Sequence, residues 1–341
     1  MLKIGVMGPA NIAKTRMIPT IFSTEGIEYA GVAVAGETEW DRPEKDDAYA
    51  QSAGARTREL ADEFVTTFGG RVYESYGELL TQDDIDIIYM PLPPSLHYKW
   101  GRMALENGKH VLMEKPFTLS KQDTQELLGI AEEKNLAVIE NYGFPLHEQF
   151  LKIRELLAQG KIGELRLIRT AFGFPHRAAN DFRYSRYFGG GALFDCGGYT
   201  LKLASQFLSG QIEVLAPSLT TTPGHEVDIY GSGTLTDGKM NVQLSFGMDQ
   251  AYKCELELWG SEATLLAPRF YTAPGDFKPE LSIKSNAGEE KIPVPACNQF
   301  QEILKKMMQA VGDPDTAAAI REEILLQADL VDRFAKGAGL G

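Results

Sequence analysis

Cysteine is scarce in this chain: Cys196, Cys254 and Cys297 are the only three in 341 residues, widely separated and odd in number. That excludes a disulfide framework and offers none of the paired spacings of a zinc site, so the three are expected to be reduced and packed. Histidine is scarce as well. His97, His110, His147, His176 and His225 make no HxH or HxxxH pair, and no protein metal site is expected. Positive charge is in deficit, with 34 Lys and Arg against 47 Asp and Glu and a formal net charge of -13. Nucleic-acid binders draw most of their affinity from cations that neutralise phosphates, so a polyanionic partner is disfavoured and the acidity serves solubility. No apolar run approaches the roughly 20 residues that span a bilayer. The start, MLKIGVMG, passes directly into a glycine turn without the apolar core of a signal peptide. The expectation is a cytoplasmic protein without a membrane partner.

What is present is ordinary globular chemistry, with 43% hydrophobic and 24% charged residues, which argues against disorder and fibrous classes. At this length one hydrophobic core is too few. The expected division is a first domain over residues 1–145 and a second over 146–336. The first half alternates short β-rich runs, LKIGVMG, IEYAGVAVA, IDIIYMPLP, KHVLMEKP and NLAVIENY, with helical patterns. Such alternation signals βαβ units and a parallel sheet covered on both faces. A polar, glycine-bracketed stretch over residues 36–54 interrupts the rhythm and reads as an inserted surface loop, with a helix expected from Ala55. Beyond about residue 150 the runs GELRLIRTAFGF, KMNVQLSFGM and YKCELELWGS alternate like strands with one solvated face, so the second domain is expected to be α+β on an antiparallel sheet. Two helical stretches close the chain.

The first strand enters Gly8-Pro9-Ala10-Asn11-Ile12-Ala13, a GxGxxG-type turn with alanine at its second and third glycine positions. Gly8 permits a tight strand-to-helix turn, and the small residues let backbone N–H groups approach a pyrophosphate. At the end of the second strand an acid selects a ribose 2′-OH, whereas an arginine accommodates a 2′-phosphate. Here Glu37 points to NAD, but Arg56 at the start of the next helix could sit beside the same ribose, and either could be a solvated surface charge. NAD and NADP both stay open. The third apolar strand ends in Pro91-Leu92-Pro93-Pro94-Ser95-Leu96-His97, a loop at the carboxyl end of a parallel strand, where ligands bind in open sheets. His97 reads equally as a helix-face residue or a cofactor neighbour. After Met113 the chain turns abruptly into Glu114-Lys115-Pro116. In the second half a triple glycine, Gly189 to Gly191, precedes a helix start on which Asp195 and Tyr199 lie four residues apart, a spacing that suits two groups meeting one substrate. By itself that pair fits a capping Asp and a packed Tyr better.

Taken in order, GVMGPANIA, PLPPSLH, EKP and GGGALFDCGGY resemble the glucose-fructose oxidoreductase and inositol dehydrogenase family, also called Gfo/Idh/MocA, over nearly the whole chain. The resemblance implies a Rossmann domain holding NAD(P) and a C-terminal α+β domain with a largely antiparallel, open-faced sheet that often forms dimer or tetramer contacts. It implies that Gly8, Ala10, Asn11, Ile12, Ala13, Pro91, Leu92, Pro93, His97 and Glu114 lie on the cofactor side. Lys115 would sit at the junction of cofactor and substrate, with its bond to Pro116 often cis. Tyr199 places the chain beside sugar and sugar-nucleotide ketoreductases, xylose dehydrogenases and dihydrodiol dehydrogenase, where the tyrosine exchanges a proton with the carbonyl and the lysine assists. A tyrosine titrates near 10 unperturbed, so a neighbouring ammonium is a device for making it a usable acid. Asp195 would orient the substrate or Lys115, and Arg183, in the segment NDFRY, would contact a hydroxyl-rich substrate or hold a loop. Two departures stand out: Pro94 replaces a usual Asn, and Phe144-Pro145 replaces a usual Tyr-Arg, at positions that line the pocket in relatives. The function expected is hydride transfer between NAD(P) and a sugar-like carbonyl or alcohol. The alternatives are a glycosidase that uses NAD transiently and a non-catalytic dinucleotide sensor.

Overall fold

The computed structural model describes residues 1–39, 47–178 and 180–340, with the side chains of 47–54 left aside. The strands β1 (Leu2–Met7), β2 (Ile27–Ala33), β3 (Arg71–Tyr73), β4 (Ile87–Met90), β5 (His110–Met113) and β6 (Val138–Glu140) form one sheet in the order β3-β2-β1-β4-β5-β6. Every pairing in it is parallel. The order reverses at β1/β4, which is the doubly wound arrangement, and it places the ends of those two strands at the topological switch point. β4 and β5 carry runs such as Ile87, Ile88, Tyr89 and Met90 that are buried throughout, as sheets covered on both faces require.

The connecting helices are α1 (Ile18–Phe22), α2 (Asp47–Phe68), α3 (Tyr76–Leu80), α4 (His97–Glu106) and α5 (Lys121–Glu133). α5 begins as its sequence predicts: the Ser120 hydroxyl accepts from the Asp123 N–H at 3.1 Å. Asn135, just past its end, adopts φ 55°, the left-handed conformation that suits Asn at a helix stop. The insertion expected over 36–54 is only partly a loop. Residues 36–39 form a turn, 40–46 lie outside the described residues, and α2 starts at Asp47 instead of Ala55. Ala48, Ala50, Ala53 and Ala55 are strong helix formers, and their propensity tolerates the single Gly54.

After α6 (Glu148–Ala158) come β7 (Leu165–Gly173), α7 (Gly198–Phe207), β8 (Glu213–Thr220), β9 (Tyr230–Thr236), β10 (Asn241–Gly247), β11 (Lys253–Gly260), β12 (Ala263–Pro268), β13 (Glu280–Ser285) and β14 (Gly288–Pro293). These strands make an eight-stranded sheet in the order β14-β13-β12-β11-β7-β10-β9-β8. It is antiparallel except at its centre, where β7 and β10 pair in parallel. Alternation is clean: along β10, Asn241, Gln243 and Ser245 are exposed while Val242, Leu244 and Phe246 are buried. At one edge, β8 carries Pro217 and a bulge between Leu215 and Ser218, with Ala216 at φ 45°. At the other, β14 presents exposed Glu289, Glu290 and Lys291. The chain ends in α8 (Gln299–Gly312) and α9 (Pro314–Gly337).

The α/β reading of both sheets is met. By contact the chain divides into two compact units, Met1–Asn141 with Ile303–Leu325, and Tyr142–Glu302 with Leu326–Gly341.

Candidate functional site

In the first unit the turn after β1 is built around Gly8, whose φ of 96° excludes a side chain and whose Cβ would lie 2.9 Å from Leu92 Cδ2. Its N–H donates to the Ala33 carbonyl at 3.0 Å, and the Ala10 N–H donates to the Gly8 carbonyl at 2.9 Å. Asn11 is exposed, Ala10 and Ile12 are half-buried and Ala13 is fully buried, so the chain leaves β1 with its backbone open on one side and a small residue packed on the other. That cradle fits a dinucleotide's pyrophosphate. The following turn, Ala13–Met17, is a π-helix, a widening frequent at functional sites.

The residues that flank Lys115 are held by hydrogen bonds. The Glu114 N–H donates to the Met90 carbonyl at 3.1 Å. Its carboxylate Oε1 accepts from the Tyr89 hydroxyl at 2.7 Å and from Asn141 Nδ2 at 2.6 Å. Burial pushes the Glu114 carboxyl above its ordinary range, opposed by those two bonds and by the charge of Lys115. The Lys115–Pro116 peptide bond is cis. The Phe117 N–H donates to Glu140 Oε1 at 2.8 Å. His97 is fully buried, with Nδ1 at 2.7 Å from the Pro116 carbonyl and Nε2 at 2.8 Å from the Leu92 carbonyl. It therefore staples the loop after β4 to the Glu114–Phe117 turn, and both its nitrogens are engaged within the protein. Pro91 and Pro93 are half-buried and Leu92 is buried beneath Gly8. Pro94 is buried at the start of the short 3-10 turn Pro94–Leu96.

At the end of β2, Glu37 and Arg56 are both exposed. Arg58 is engaged with Asp62 at 3.3 Å and with Glu74. The residue that sequence reasoning passed over is Glu39. Its carboxylate accepts from the backbone N–H groups of Gly36 at 2.9 Å, Tyr76 at 2.8 Å and Gly77 at 2.9 Å. No periodicity marks such a bond; the only trace in the sequence is a glycine at two of the three contacts.

In the second unit the glycine run has a specific task. A Cβ on Gly190 would lie 2.3 Å from the Arg183 carbonyl, and one on Gly191, at φ 121°, would lie 2.4 Å from Asp228 Oδ1. The Gly190 N–H donates to the Ser185 carbonyl at 2.8 Å and the Gly191 N–H to the Arg183 carbonyl at 2.9 Å. Asp228 in turn accepts from the Leu193 N–H at 2.7 Å, and burial holds its carboxyl above the ordinary range. The close passage delivers Arg183 to Asp195: Nε donates to Asp195 Oδ2 at 2.8 Å, while Nη1 donates to Asp181 Oδ1 at 3.1 Å. Burial pushes the Arg183 guanidinium down, but the two carboxylates outweigh it and hold it above its ordinary range. Two of the three expected substrate groups, Arg183 and Asp195, are thus paired with one another.

Asp195 lies in the π-helical turn Leu193–Gly197 and Tyr199 in α7. The Tyr199 ring is caged by Tyr142, Phe172 and Tyr271, with centroids at 4.9, 5.1 and 5.6 Å. Phe144 packs at 6.3 Å from the same ring and is 1% exposed. It supports the cage from within the core and does not line an open surface. Gly198 is required there, since a Cβ would lie 2.2 Å from the Tyr142 hydroxyl. The three cysteines are free and buried, and no group of metal-ligating side chains occurs among the described residues. Among the same residues, no helix is long and apolar enough to cross a membrane.

A doubly wound sheet with a glycine turn at its switch point, joined in sequence to an open-faced mixed sheet, defines an NAD(P)-dependent oxidoreductase of two-domain type, and comparison with known proteins agrees. Residues 3–142 match the model of the oxidoreductase family with an NAD-binding Rossmann fold, and residues 150–266 match the GFO/IDH/MocA C-terminal domain. The chain is 36% identical to the dTDP-3,4-didehydro-2,6-dideoxy-alpha-D-glucose 3-reductase of Streptomyces violaceoruber, over 99% of this chain and 96% of that one. It is 25% identical to D-xylose 1-dehydrogenase (NADP(+)) 2 of Haloferax volcanii, covering 100% and 98%. Among solved structures, the 3-ketoreductase KijD10 of Actinomadura kijaniata, in complex with NADP and TDP-benzene, superposes with a TM-score of 0.89 at 33% identity, covering 98% of this chain and 97% of that one. The chain belongs to the Gfo/Idh/MocA family of oxidoreductases.

Proposed function

We propose that this oxidoreductase reduces a keto group on a nucleotide-linked deoxysugar, or oxidises the corresponding alcohol. The substrate class rests on the full-length similarity to sugar-nucleotide 3-ketoreductases. Gly8, Ala10, Asn11, Ile12 and Ala13 receive the pyrophosphate, Glu37 or Arg56 meets the adenine ribose, and Pro91 to Pro93 with Glu114 flank the nicotinamide. The nicotinamide, when bound, supplies or accepts the hydride. Tyr199 gives a proton to the carbonyl oxygen as the carbon is reduced, and takes one back in the reverse direction. Lys115 makes the phenol a usable acid by favouring its ionised form. The Arg183–Asp195 pair supports the substrate's hydroxyl groups. Two or four copies associate through the second unit's sheet.

The observation that carries this reading is the anchoring of Lys115, whose neighbours on both sides are tied by side-chain hydrogen bonds from Tyr89, Asn141, Glu140 and His97. A surface lysine needs no such frame. The test is a steady-state assay of reduced nicotinamide absorbance with a dTDP-linked 3-keto-6-deoxyhexose. Lys115→Ala and Tyr199→Phe are each expected to lower kcat by about 10²–10⁴-fold, the usual worth of positioned acid–base groups, while leaving cofactor affinity within a few-fold. Unchanged turnover in either variant overturns the assignment.

A further inference from the structure

The two residues that precede Tyr199 are both glycine, and side chains of other elements press on each. A Cβ on Gly197 would lie 3.0 Å from Phe246 Cζ, and one on Gly198 would lie 2.2 Å from the Tyr142 hydroxyl and 3.7 Å from Gln327 Nε2. The carbonyls of the same pair are bonded by side chains. The Thr200 hydroxyl donates to the Gly197 carbonyl at 2.7 Å, and Gln327 Nε2 donates to the Gly198 carbonyl at 2.9 Å. The first bond is local. The second joins α9 to the residue immediately before Tyr199, across 129 residues of sequence. Gln327 sits on the apolar stripe of α9, in line with the buried Leu330, Val331 and Phe334 at i+3, i+4 and i+7. It is 2% exposed, and its amide oxygen meets no donor among the described residues. Burying an amide with half its bonding capacity unused is costly, and an apolar side chain of the same length would fill the space without that cost. What the amide alone supplies is the bond to Gly198.

We propose that Gln327 is a positioning residue for proton transfer: its bond to the Gly198 carbonyl sets the backbone from which Tyr199 rises, and so fixes where the phenol oxygen stands. This deepens the oxidoreductase reading and rests on Tyr199 being its acid. The cage of Tyr142, Phe172 and Tyr271 holds the ring, but ring contacts are satisfied over centroid distances of about 4.5–7 Å. An N–H···O bond confines its heavy atoms to roughly 2.7–3.2 Å. A reacting group misplaced by about 1 Å loses ~100-fold in rate, so the tighter restraint is the one that governs turnover. Gln327 itself touches neither substrate nor cofactor in this role.

The test is a steady-state assay of the full chain with the dTDP-linked 3-keto-6-deoxyhexose, in wild type, Tyr199→Phe, Gln327→Met and Gln327→Glu, with NADH and NADPH titrations and thermal melts beside it. Gln327→Met keeps the reach of the side chain and loses the donor. It is expected to lower kcat about tenfold, a fraction of the cost of a full 1 Å misplacement, while KM and dinucleotide affinity stay within about twofold. Gln327→Glu supplies the rescue: its carboxyl donates to the Gly198 carbonyl when protonated, the form that burial favours, and cannot when ionised. Its kcat, taken relative to wild type at each pH, should stand well above that of Gln327→Met at the acid end and fall toward it as pH rises. A role confined to packing would lower Tm and leave both kcat ratios at one. A folded Gln327→Met with wild-type kcat overturns the proposal, as does a Gln327→Glu no better than Gln327→Met at any pH. Should Gln327→Met not fold, Gln327→Glu decides: a ratio that falls with pH supports the anchor and a flat one overturns it. Wild-type turnover in Tyr199→Phe overturns the acid–base reading itself, and the anchor with it.

Discussion

Arg183 offers the sharpest structural prediction. It lies between Asp181 and Asp195, at 3.1 and 2.8 Å, with side-chain exposures of 21% for the arginine, 18% for Asp181 and 13% for Asp195. Arg183→Ala removes the cation that lies between two mostly buried carboxylates. Removing one partner of a buried ion pair costs about 3–5 kcal/mol, and residual solvent access to the trio places this case near the lower end, at about 3 kcal/mol. A unit of this size melts roughly 3 °C lower per kcal/mol, so Tm should drop by roughly 10 °C. Calorimetry or circular dichroism melts at neutral pH measure it. Adding Asp181→Asn and Asp195→Asn to Arg183→Ala removes the two facing charges and should restore at least half of the loss. A single variant within ~2 °C of wild type, or no recovery in the triple variant, refutes the ion-pair reasoning.

Other expectations follow from the same geometry. Gly190→Ala forces a methyl against the Arg183 and Ser185 carbonyls, at 2.3 and 2.8 Å, and should destabilise by ~1–3 kcal/mol while lowering kcat; a normal melt would show that the loop yields freely. His97, His110 and His147 all have pKa values lowered chiefly by burial. The folded state therefore binds fewer protons than the unfolded chain, so this stability is complete above the ordinary histidine pKa of ~6.5 and is lost as pH falls through the lower folded values. Glu114 and Asp228, raised by burial, act in the opposite sense, contributing below the ordinary carboxyl range and fading as pH rises through their folded values. His147→Asn keeps an acceptor for the Gln149 N–H that His147 Nδ1 now receives at 3.0 Å. Its Tm should fall less steeply than that of wild type between pH 7 and 5, and an identical slope would count against a titrating His147.

Much of the fold could be read from the sequence because the signals were local. The alternation of apolar runs with helical segments marks the parallel sheet, and Gly8 marks its first turn, because a left-handed φ leaves only glycine free of strain. The cap at Ser120 and the stop at Asn135 are likewise local. What escaped depends on distant partners. Glu39 bonds to Tyr76 and Gly77 some 37 and 38 residues away. Asp228 holds Leu193 across 35 residues. The π turn at Leu193–Gly197 is announced by nothing in residue type. Phe144 reads as a pocket position by analogy, yet its ring completes the cage around Tyr199. The parallel pairing of β7 with β10 joins strands 74 residues apart, between Asn241 and Leu167, and an alternating pattern is silent about direction.

The two edges of the eight-stranded sheet bear on how the molecule behaves in a crowded solution. An open sheet ordinarily offers its last strand as a template on which another chain can extend the hydrogen-bonded ladder. Here Pro217 lacks an N–H to donate and the bulge at Ala216 bends β8 out of register, while Glu289, Glu290 and Lys291 place charge along β14. Backbone-templated polymerisation is blocked at both ends. Any association through this sheet would therefore run through side chains, which a mutation can tune, and not through the generic ladder that leads to fibres.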